Sequence, residues 1–417
     1  MEQPTSRRRF LAASGVALAA AKLNAFQQKP KQLFAYVGRH TTGGFNGPPG
    51  KEGGINVFRV NMSDGSLTEV SKTGAEVDDL NNDGMCVSAD YRFLYSINVT
   101  PNLGGKAGAG GGVSAFAINR EDGSLRFLNT QPSMGGNPTA VIIDKTNSRV
   151  VVANHGAVNK VAVIKKQNGV PYVDTATDDG TVALFPVKSD GSLEPACDVS
   201  VFEQRPSLDA GPGAASHSAI FDRTQRWIIA SDNGYDHIYV YPFSPASREL
   251  KAKMFPTPPG RAPRHFAVHP RAPYFFMTNE REATVSTFSF DSGNGEVRPI
   301  QTIGTVPDGY SGPRVSPTDI RIHPNGKFVY SANRGDDSVA VFEVDEKSGK
   351  LNRIEVTKTG GQGPREINID PSGAFLFSCN LQTNDVTTFA LNANTGKMTQ
   401  SAKVSVLRGA VIDFALL

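Results

Sequence analysis

The segment from Pro263 to Phe290 places charged side chains at the ends of short strand-like runs. It reads PRHFAVHPRAPYFFMTNEREATVSTFSF, so Arg264 and His265 precede one apolar run and Glu280 follows the next. An imidazole or a carboxylate can take a proton from a reacting group, and a guanidinium can stabilise a developing negative charge. These side chains could therefore support acid–base chemistry if the fold brings the ends of the runs to one place.

Similar side chains flank the other strand-like runs of the chain. His217, Arg365 and Glu366 begin such runs, and His155, Asn233 and Arg334 follow the ends of others. A single charged side chain at such a position is more often solvated than functional, so the argument depends on their convergence. Arginines crowded at one place repel one another unless an anion or a carboxylate compensates them. This pattern predicts an anionic ligand.

A unit of four short strands recurs along the chain and would position these residues. Six apolar runs end in Asn or Asp, and they are RFLYSIN, RVVVAN, RWIIASD, YFFMTN, FVYSAN and FLFSCN; LFAYVG, ending at Gly38, is a weaker seventh. Each run precedes a strand of alternating pattern, and a turn such as DGSL at Asp64 then opens a further strand. Repetition about every 50 residues predicts an all-β fold, a seven-bladed β-propeller with four-stranded blades.

The first unit lacks its own first strand, which the end of the chain can supply. GAVIDFALL, from Gly409 to Leu417, has the required pattern, so we expect the ring to close by pairing it with the N-terminal blade in a 3+1 arrangement. In an antiparallel blade the start of strand one and the end of strand two lie at the same end. All the charged residues named above should then meet at one mouth of the central channel. Closure within one chain makes a monomer the simplest expectation.

The N-terminus predicts an export signal. SRRRFLAASGVALAAAKLNA has adjacent arginines at Arg7 and Arg8 before an apolar run too short to span a bilayer permanently, and Ala25 offers a cleavage point. The pattern resembles a twin-arginine signal; the alternative is an ordinary basic, apolar tail. We predict a signal over 1–25, a linker over 26–32, a propeller over 33–417, and a periplasmic mature protein.

Charge and motifs limit the partners and cofactors. Removing residues 1–25 leaves equal numbers of basic and acidic side chains, which gives no support for nucleic-acid or membrane binding. Three cysteines without CxxC spacing support neither a metal site nor a disulfide framework. The glycine-rich GGKAGAGGG has no GxGxxG, and the calcium-like opening at Asp79–Gly84 has Asp90 where a bidentate Glu is needed. We predict no cofactor and no metal.

Four segments of the repeats are distinctive together. They are ASHSAIFD, PRHFAVHP followed by TNE, SPTDIRIHPNGKFVYSANRGDDSVAVF, and GGQGPREINIDPSGAFLFSCN. Through them the chain from Leu33 onward resembles the seven-bladed lactonase family, which includes bacterial 6-phosphogluconolactonases and fungal carboxymuconate-lactonizing enzymes. Two departures bear on the substrate: Ala215 stands where the family often has a second histidine, and QNGVPYVDTATDDG is an insertion between His155 and Thr181.

The resemblance implies catalytic residues at the four matching positions, which are His217, Arg264, Glu280 and Arg334. For lactone hydrolysis we expect His217 to act as the base and Arg264 to stabilise the oxyanion. Glu280 would hold Arg264 or His217 in position, or compete as the base, and Arg334 would bind a carboxylate or phosphate. We expect three further residues to contact the substrate, and they are His155, His265 and Arg365.

Three functions remain open from the sequence. The first is hydrolysis of an anionic sugar lactone outside the cytoplasm, and the second is a muconate-type cycloisomerisation at the same four residues. The third is a propeller that binds a ligand or a protein without catalysis. The presence of all four matching residues favours an enzyme, and a lactone assay would distinguish the hydrolase from the other two.

Overall fold

The computed structural model describes residues 31–43, 50–106, 108–156, 160–202 and 214–417. The predicted export signal therefore lies outside the described residues. Two short 3-10 helices, Ala75–Val77 and Leu103–Gly105, are the helical elements within the described ranges. None of the helices in those ranges is long and apolar enough to cross a bilayer.

Seven four-stranded antiparallel sheets follow one another along the chain. Blade 1 contains β30 (Gly409–Leu416), β1 (Leu33–Arg39), β2 (Gly54–Val60) and β3 (Leu67–Lys72). Blade 2 contains β4 (Asn82–Val87), β5 (Phe93–Asn98), β6 (Gly112–Ile118) and β7 (Leu125–Pro132). Blade 3 contains β8 (Pro138–Ile143), β9 (Arg149–Asn154), β12 (Thr181–Pro186) and β13 (Asp198–Val201).

The last four blades use consecutive strands. Blade 4 contains β14 (Ser216–Phe221), β15 (Trp227–Asp232), β16 (His237–Pro242) and β17 (Lys253–Pro256). Blade 5 contains β18 (Pro263–Val268), β19 (Tyr274–Asn279), β20 (Thr284–Asp291) and β21 (Glu296–Gly304). Blade 6 contains β22 (Ser316–Ile322), β23 (Phe328–Arg334), β24 (Ser338–Val344) and β25 (Leu351–Lys358), and blade 7 contains β26 (Pro364–Ile369), β27 (Phe375–Asn380), β28 (Asp385–Leu391) and β29 (Met398–Ser405). The predicted seven-bladed propeller is confirmed.

The hydrophobic core lies between the blades. Strand side chains alternate between the two faces of a sheet, so each blade has two apolar faces and each face packs on a neighbouring blade. The seven core clusters of the described residues correspond to the seven blade interfaces. The interface between blades 7 and 1, for example, packs Phe377 against Phe414 with ring centroids 5.0 Å apart. Apolar burial of this kind is what fixes the blades in a ring.

The C-terminal strand closes the ring as predicted. β30 pairs antiparallel with β1, with Leu33 opposite Leu416 and Gly38 opposite Val411. The innermost strands β30, β4, β8, β14, β18, β22 and β26 contact one another in turn. Their first residues therefore lie around one mouth of a central channel.

Each innermost strand is interrupted by a β-bulge at its first residues. The pairing register shifts between Ser216 and Ser218, between Pro263 and Phe266, and between Pro364 and Glu366. The other four innermost strands show the same irregularity. A bulge leaves a residue out of the ladder and redirects its side chain. The residues left out include His217, Arg264 and Arg365.

The insertion in blade 3 forms a separate hairpin. Its strands β10 (Lys160–Gln167) and β11 (Val170–Thr177) pair only with each other, between β9 and β12. Ile164, Val170 and Val173 are exposed on this hairpin. The fourth strand of blade 4 begins at Lys253, after a turn at 245–246 and a segment without regular secondary structure at 247–252.

Candidate active site

A cavity of about 520 Å³ lies at the mouth where the bulged strand ends meet. Its volume is typical of small-molecule sites. Six of the seven residues predicted from sequence line it, and they are His155, His217, Arg264, Glu280, Arg334 and Arg365. The wall also contains His40, Asn137, Thr139, Leu381 and Gln382. Side chains from six blades thus converge on one space.

Glu280 stands between two arginines on one wall of the cavity. Its Oε2 lies 3.6 Å from Nε of Arg264, and Nη2 of Arg334 donates to its Oε1 at 3.1 Å. Asn233 and Ser316 also donate to the carboxylate. Burial alone would raise the pKa of Glu280, but the two arginines, followed by these hydrogen bonds, lower it to about 2. Glu280 is therefore ionised at neutral pH and is a weak base.

Arg264 is an unusual buried cation. Only 1% of the residue is exposed, and its Nε and Nη1 have no hydrogen-bond partner among the described residues. Burial lowers its pKa to about 10, against the opposing effect of Glu280, so the guanidinium stays charged at neutral pH. Buried charged donors without partners are costly unless a ligand uses them. Both nitrogens are buried, Nε lies 3.6 Å from Oε2 of Glu280, and the residue lines the cavity.

Asp83 holds Arg365 on the opposite wall. Nε of Arg365 donates to Oδ1 of Asp83 at 2.8 Å, and Nη2 contacts the other oxygen. Nε2 of His40 lies 3.0 Å from the same Oδ1. Burial opposes ionisation of Asp83, but Arg365 and His40 keep its pKa well below the usual range. This bidentate pair fixes the orientation of the Arg365 guanidinium.

His217 lies between two other imidazoles. Its ring makes edge-to-face contacts with His155 and His265, with centroids 5.6 and 5.2 Å away. The residue is 7% exposed, and its Nδ1 has no hydrogen-bond partner among the described residues. Burial, and next the charge of Arg264, holds the pKa of His217 well below 6.5. The imidazole is therefore neutral at pH 7, the form that can accept a proton.

Two residues that the sequence placed at the mouth do not line this cavity. His265 lies behind His217, where its Nδ1 is 2.8 Å from Oδ1 of Asp319. Glu366 contacts Arg321 at 3.4 Å and accepts from the backbone N–H of Ile412. In each strand a bulge lies at this point, and the preceding residue, Arg264 or Arg365, lines the cavity instead.

A second cavity of about 450 Å³ adjoins the first. Both cavities include Glu280 and Arg334, and the second is also lined by Asn233, Arg281, Arg314 and Ser316. Arg281 and Arg314 make no ion pair with any residue in the described ranges. The joint surface therefore contains more guanidinium than carboxylate groups, which favours an anionic ligand. No three His, Cys, Asp or Glu side chains of the described residues are placed to hold a metal ion.

The sequence did not identify His40, Asp83 or Arg314 as site residues. Asp83 belongs to the segment that resembled a calcium loop, but it lies in strand β4 and pairs with an arginine of blade 7. Arg314 lies in the loop before β22, where no repeat pattern marks it. Only its position in the repeat could have identified Asp83, because it lies at the start of an innermost strand, as His217 and Arg264 do.

The chain is a seven-bladed β-propeller with a cavity at one mouth, and His, Arg and Glu side chains line that cavity. The family model described as lactonase, 7-bladed beta-propeller, matches residues 34–414. The chain therefore belongs to this lactonase family.

Named relatives agree with this assignment. A 6-phosphogluconolactonase of Bacillus subtilis is 30% identical over 334 residues, which cover 80% of this chain and 84% of that protein. The crystal structure of a putative 6-phosphogluconolactonase from Bacteroides fragilis has a TM-score of 0.74 at 27% identity, covering 92% of this chain and 98% of that one. The structure of a periplasmic gluconolactonase from Pseudomonas aeruginosa has a TM-score of 0.75 at 26% identity, covering 92% and 100%.

Proposed function

We propose that this protein hydrolyses an anionic sugar lactone in the cavity between His217, Arg264 and Glu280. The observation on which the proposal rests is the buried, charged Arg264, which lines the same cavity as the neutral imidazole of His217. A lactone is an activated ester, so its hydrolysis needs a base for water and a donor for the oxyanion. The names of the relatives, 6-phosphogluconolactonase and gluconolactonase, support a sugar lactone as the substrate.

The electrostatics favour His217 over Glu280 as the base. Glu280 has a pKa of about 2, since two arginines stabilise its charge, and a carboxylate of that strength removes a proton from water poorly. His217 is neutral and borders the cavity, and it makes no ion pair with a carboxylate of the described residues. We assign proton removal from the attacking water to His217, and the positioning of Arg264 to Glu280.

Arg264 would stabilise the oxyanion formed when the water oxygen adds to the lactone carbonyl. Its guanidinium lines the cavity together with His217, so its positive charge lies next to a lactone bound there. A donor already in place costs no reorganisation during the reaction, and removing one such donor typically slows catalysis by about 10²–10³-fold. Glu280, at 3.6 Å, keeps this guanidinium charged and oriented.

The second cavity offers a place for a remote anionic group of the substrate. Arg281 and Arg314 face it with Arg334, which also borders the first cavity. A lactone with its ring in the first cavity could therefore extend a phosphate or carboxylate into the second. His155 and Arg365 would contact the ring from the opposite wall.

The proposal is tested by following acid release from a panel of sugar lactones, phosphorylated and not, with protein lacking residues 1–25. His217→Ala and Arg264→Ala should each lower kcat by about 10²–10⁴-fold with unchanged circular dichroism. The double change of Arg281 and Arg314 to Gln should raise KM for the phosphorylated lactones only, and Arg298→Gln, an exposed arginine of β21, is the matched control. Hydrolysis that survives both single variants would refute the site. No hydrolysis of any lactone by folded protein would favour a cycloisomerase or a binding propeller.

The predicted export signal at the N-terminus indicates the compartment in which the protein acts. We propose that the mature protein works in the periplasm, and the periplasmic gluconolactonase among the structural relatives supports that location. Expression with the Arg7 and Arg8 codons changed to Lys should abolish export by the twin-arginine route, which fractionation would detect.

A further inference from the structure

A row of polar side chains leads from His217 away from the cavity. The ring of His265 lies next to that of His217, and the Nδ1 atom of His265 is 2.8 Å from Oδ1 of Asp319 on β22. Asp319 is fully buried. It also accepts from Nη1 of Arg321 at 2.9 Å and from the backbone N–H of Ile367. The proposed reaction gives no role to this buried imidazole–carboxylate pair.

The pair determines which nitrogen of His265 carries a proton. An ionised carboxylate only accepts hydrogen bonds, so Nδ1 of His265 must be the protonated nitrogen. In the neutral ring Nε2 then has a free lone pair, and Nε2 is buried without a partner among the described residues. A carboxylate–imidazole pair of this kind fixes the tautomer and stabilises the imidazolium once it forms.

The proposed role of His217 as the base also determines which of its ring nitrogens carries hydrogen. If its Nε2 accepts a proton from water, its neutral ring must carry hydrogen on Nδ1, and Nδ1 is the atom that is buried without a partner. A donor on one ring and an acceptor on the next are therefore both unsatisfied, with ring centroids 5.2 Å apart. A small ring rotation or one bridging water would connect them. Leaving both atoms unsatisfied would carry the desolvation cost of two buried polar groups, so their pairing explains an otherwise unfavourable arrangement.

The surrounding charges favour a proton on His265 over one on His217. Besides burial, Arg264, His155 and Arg365 lower the pKa of His217. No carboxylate of the described residues is in contact with its ring. His265 also lies near Arg264 and Arg321, but Asp319 contacts it directly. Burial and then Arg264 lower the pKa of His265 to about 4, and Asp319 opposes this shift. A proton that reaches His265 therefore places its positive charge beside the negative charge of Asp319.

We propose that His265 and Asp319 form the second stage of a proton relay behind the base His217. The inference rests on the proposed lactone hydrolysis. When the water O–H bond breaks and its oxygen bonds to the lactone carbonyl, Nε2 of His217 gains a proton and the Nδ1 proton passes to Nε2 of His265. The proton returns by the same route to the ring oxygen when the C–O bond breaks, so atoms and charge balance. His265 and Asp319 are thus positioning residues that act through His217.

A double-mutant cycle tests the relay by kinetics. His265→Gln and Asp319→Asn are each expected to lower kcat by roughly 10-fold or more with little change in KM, and neither should have a further effect in a His217→Ala background. His269→Gln, directly after the last residue of β18, is the matched control for losing a buried imidazole. The low-pH limb of kcat/KM should move to lower pH in Asp319→Asn, because loss of the carboxylate disfavours the imidazolium. Additive effects of His217→Ala and His265→Gln, or a change in KM alone, would overturn the relay.

Nitrogen-15 NMR of histidine-labelled protein tests the same relay without any substrate. We expect His265 to hold its proton on Nδ1 at pH 7, and the signals of His217 and His265 to titrate together. Asp319→Asn should shift both titrations, whereas independent titration of the two rings would refute the coupling. If the parent protein hydrolysed no lactone but the rings titrated together, the proposed function would fail and the coupled pair would remain.

Discussion

Glu280→Gln should destabilise the protein by about 3 kcal/mol at pH 7. The pKa of Glu280 is about 2 in the fold against an ordinary value of 4.5, and 1 pKa unit corresponds to about 1.36 kcal/mol. The side chain is 22% exposed, so solvent screening is modest. Breaking a buried ion pair and leaving one charge uncompensated typically costs about 3–5 kcal/mol, which is similar to the value obtained from the pKa shift. For a propeller of this length the loss corresponds to a fall in Tm of about 4 °C.

The stabilisation by Glu280 should depend on pH in a defined direction. Because the pKa of Glu280 is depressed in the fold, its contribution to stability is fully present above pH 4.5 and is lost as the pH falls through 2. Thermal unfolding of the parent and variant should therefore differ at pH 7 and converge toward pH 2. Glu282→Gln is the control, since Glu282 makes a more exposed pair with Arg261 and should change stability by less than about 1 kcal/mol. A Glu280→Gln variant as stable as the parent at pH 7 would refute the role of Glu280 as counter-ion.

The same variant should respond differently to anions. Without its carboxylate, the wall between Arg264 and Arg334 has two adjacent cations and no internal compensation. Inorganic phosphate binding there would raise Tm in proportion to its affinity for the folded state. We expect millimolar phosphate to raise Tm more in Glu280→Gln than in the parent, and equal shifts would argue that phosphate binds elsewhere.

Three further outcomes follow from the fold and its channel. Burial raises the pKa of Glu366 from 4.5 to about 8, with Asp319 and Asp413 contributing and Arg321 opposing. The stability that its protonated form contributes should be lost as the pH rises from 4.5 through 8, so Glu366→Gln should flatten the dependence of Tm on pH over that range. Deleting 409–417 should abolish cooperative unfolding, because β1 would lose its inner partner; retained cooperativity in calorimetry would contradict this. Replacing the hairpin 160–177 by a short linker should leave Tm within about 2 °C, since its strands pair only with each other, and a larger fall would show that it supports blade 3.

The architecture could be predicted from sequence because it is repetitive. Six of the seven blades have the same run ending in Asn or Asp, and a missing strand in the first unit required a partner from the C-terminus. The convergence of His217, Arg264 and Glu280 followed from strand polarity alone. These inferences used local pattern and topology, which a single sequence provides.

The contacts between blades could not be predicted in that way. Asp83 and Arg365 are 282 positions apart and meet only because the ring closes. The β-bulges that put Arg365 in the cavity and Glu366 outside it leave no residue signature in the strands. A one-residue change of register exchanges the directions of neighbouring side chains. Strand position alone could therefore not show which of Arg365 and Glu366 lines the cavity.

Ring closure by β30 also determines when the protein can finish folding during its synthesis. Six blades become complete in order as the chain emerges, but the first blade lacks its inner strand until β30 has been translated. Until then β1 exposes an unpaired edge, and the apolar faces of blades 7 and 1 have no closed interface. A prematurely terminated chain would keep that edge exposed, so a cellular protease could distinguish it from the finished protein by its last strand alone.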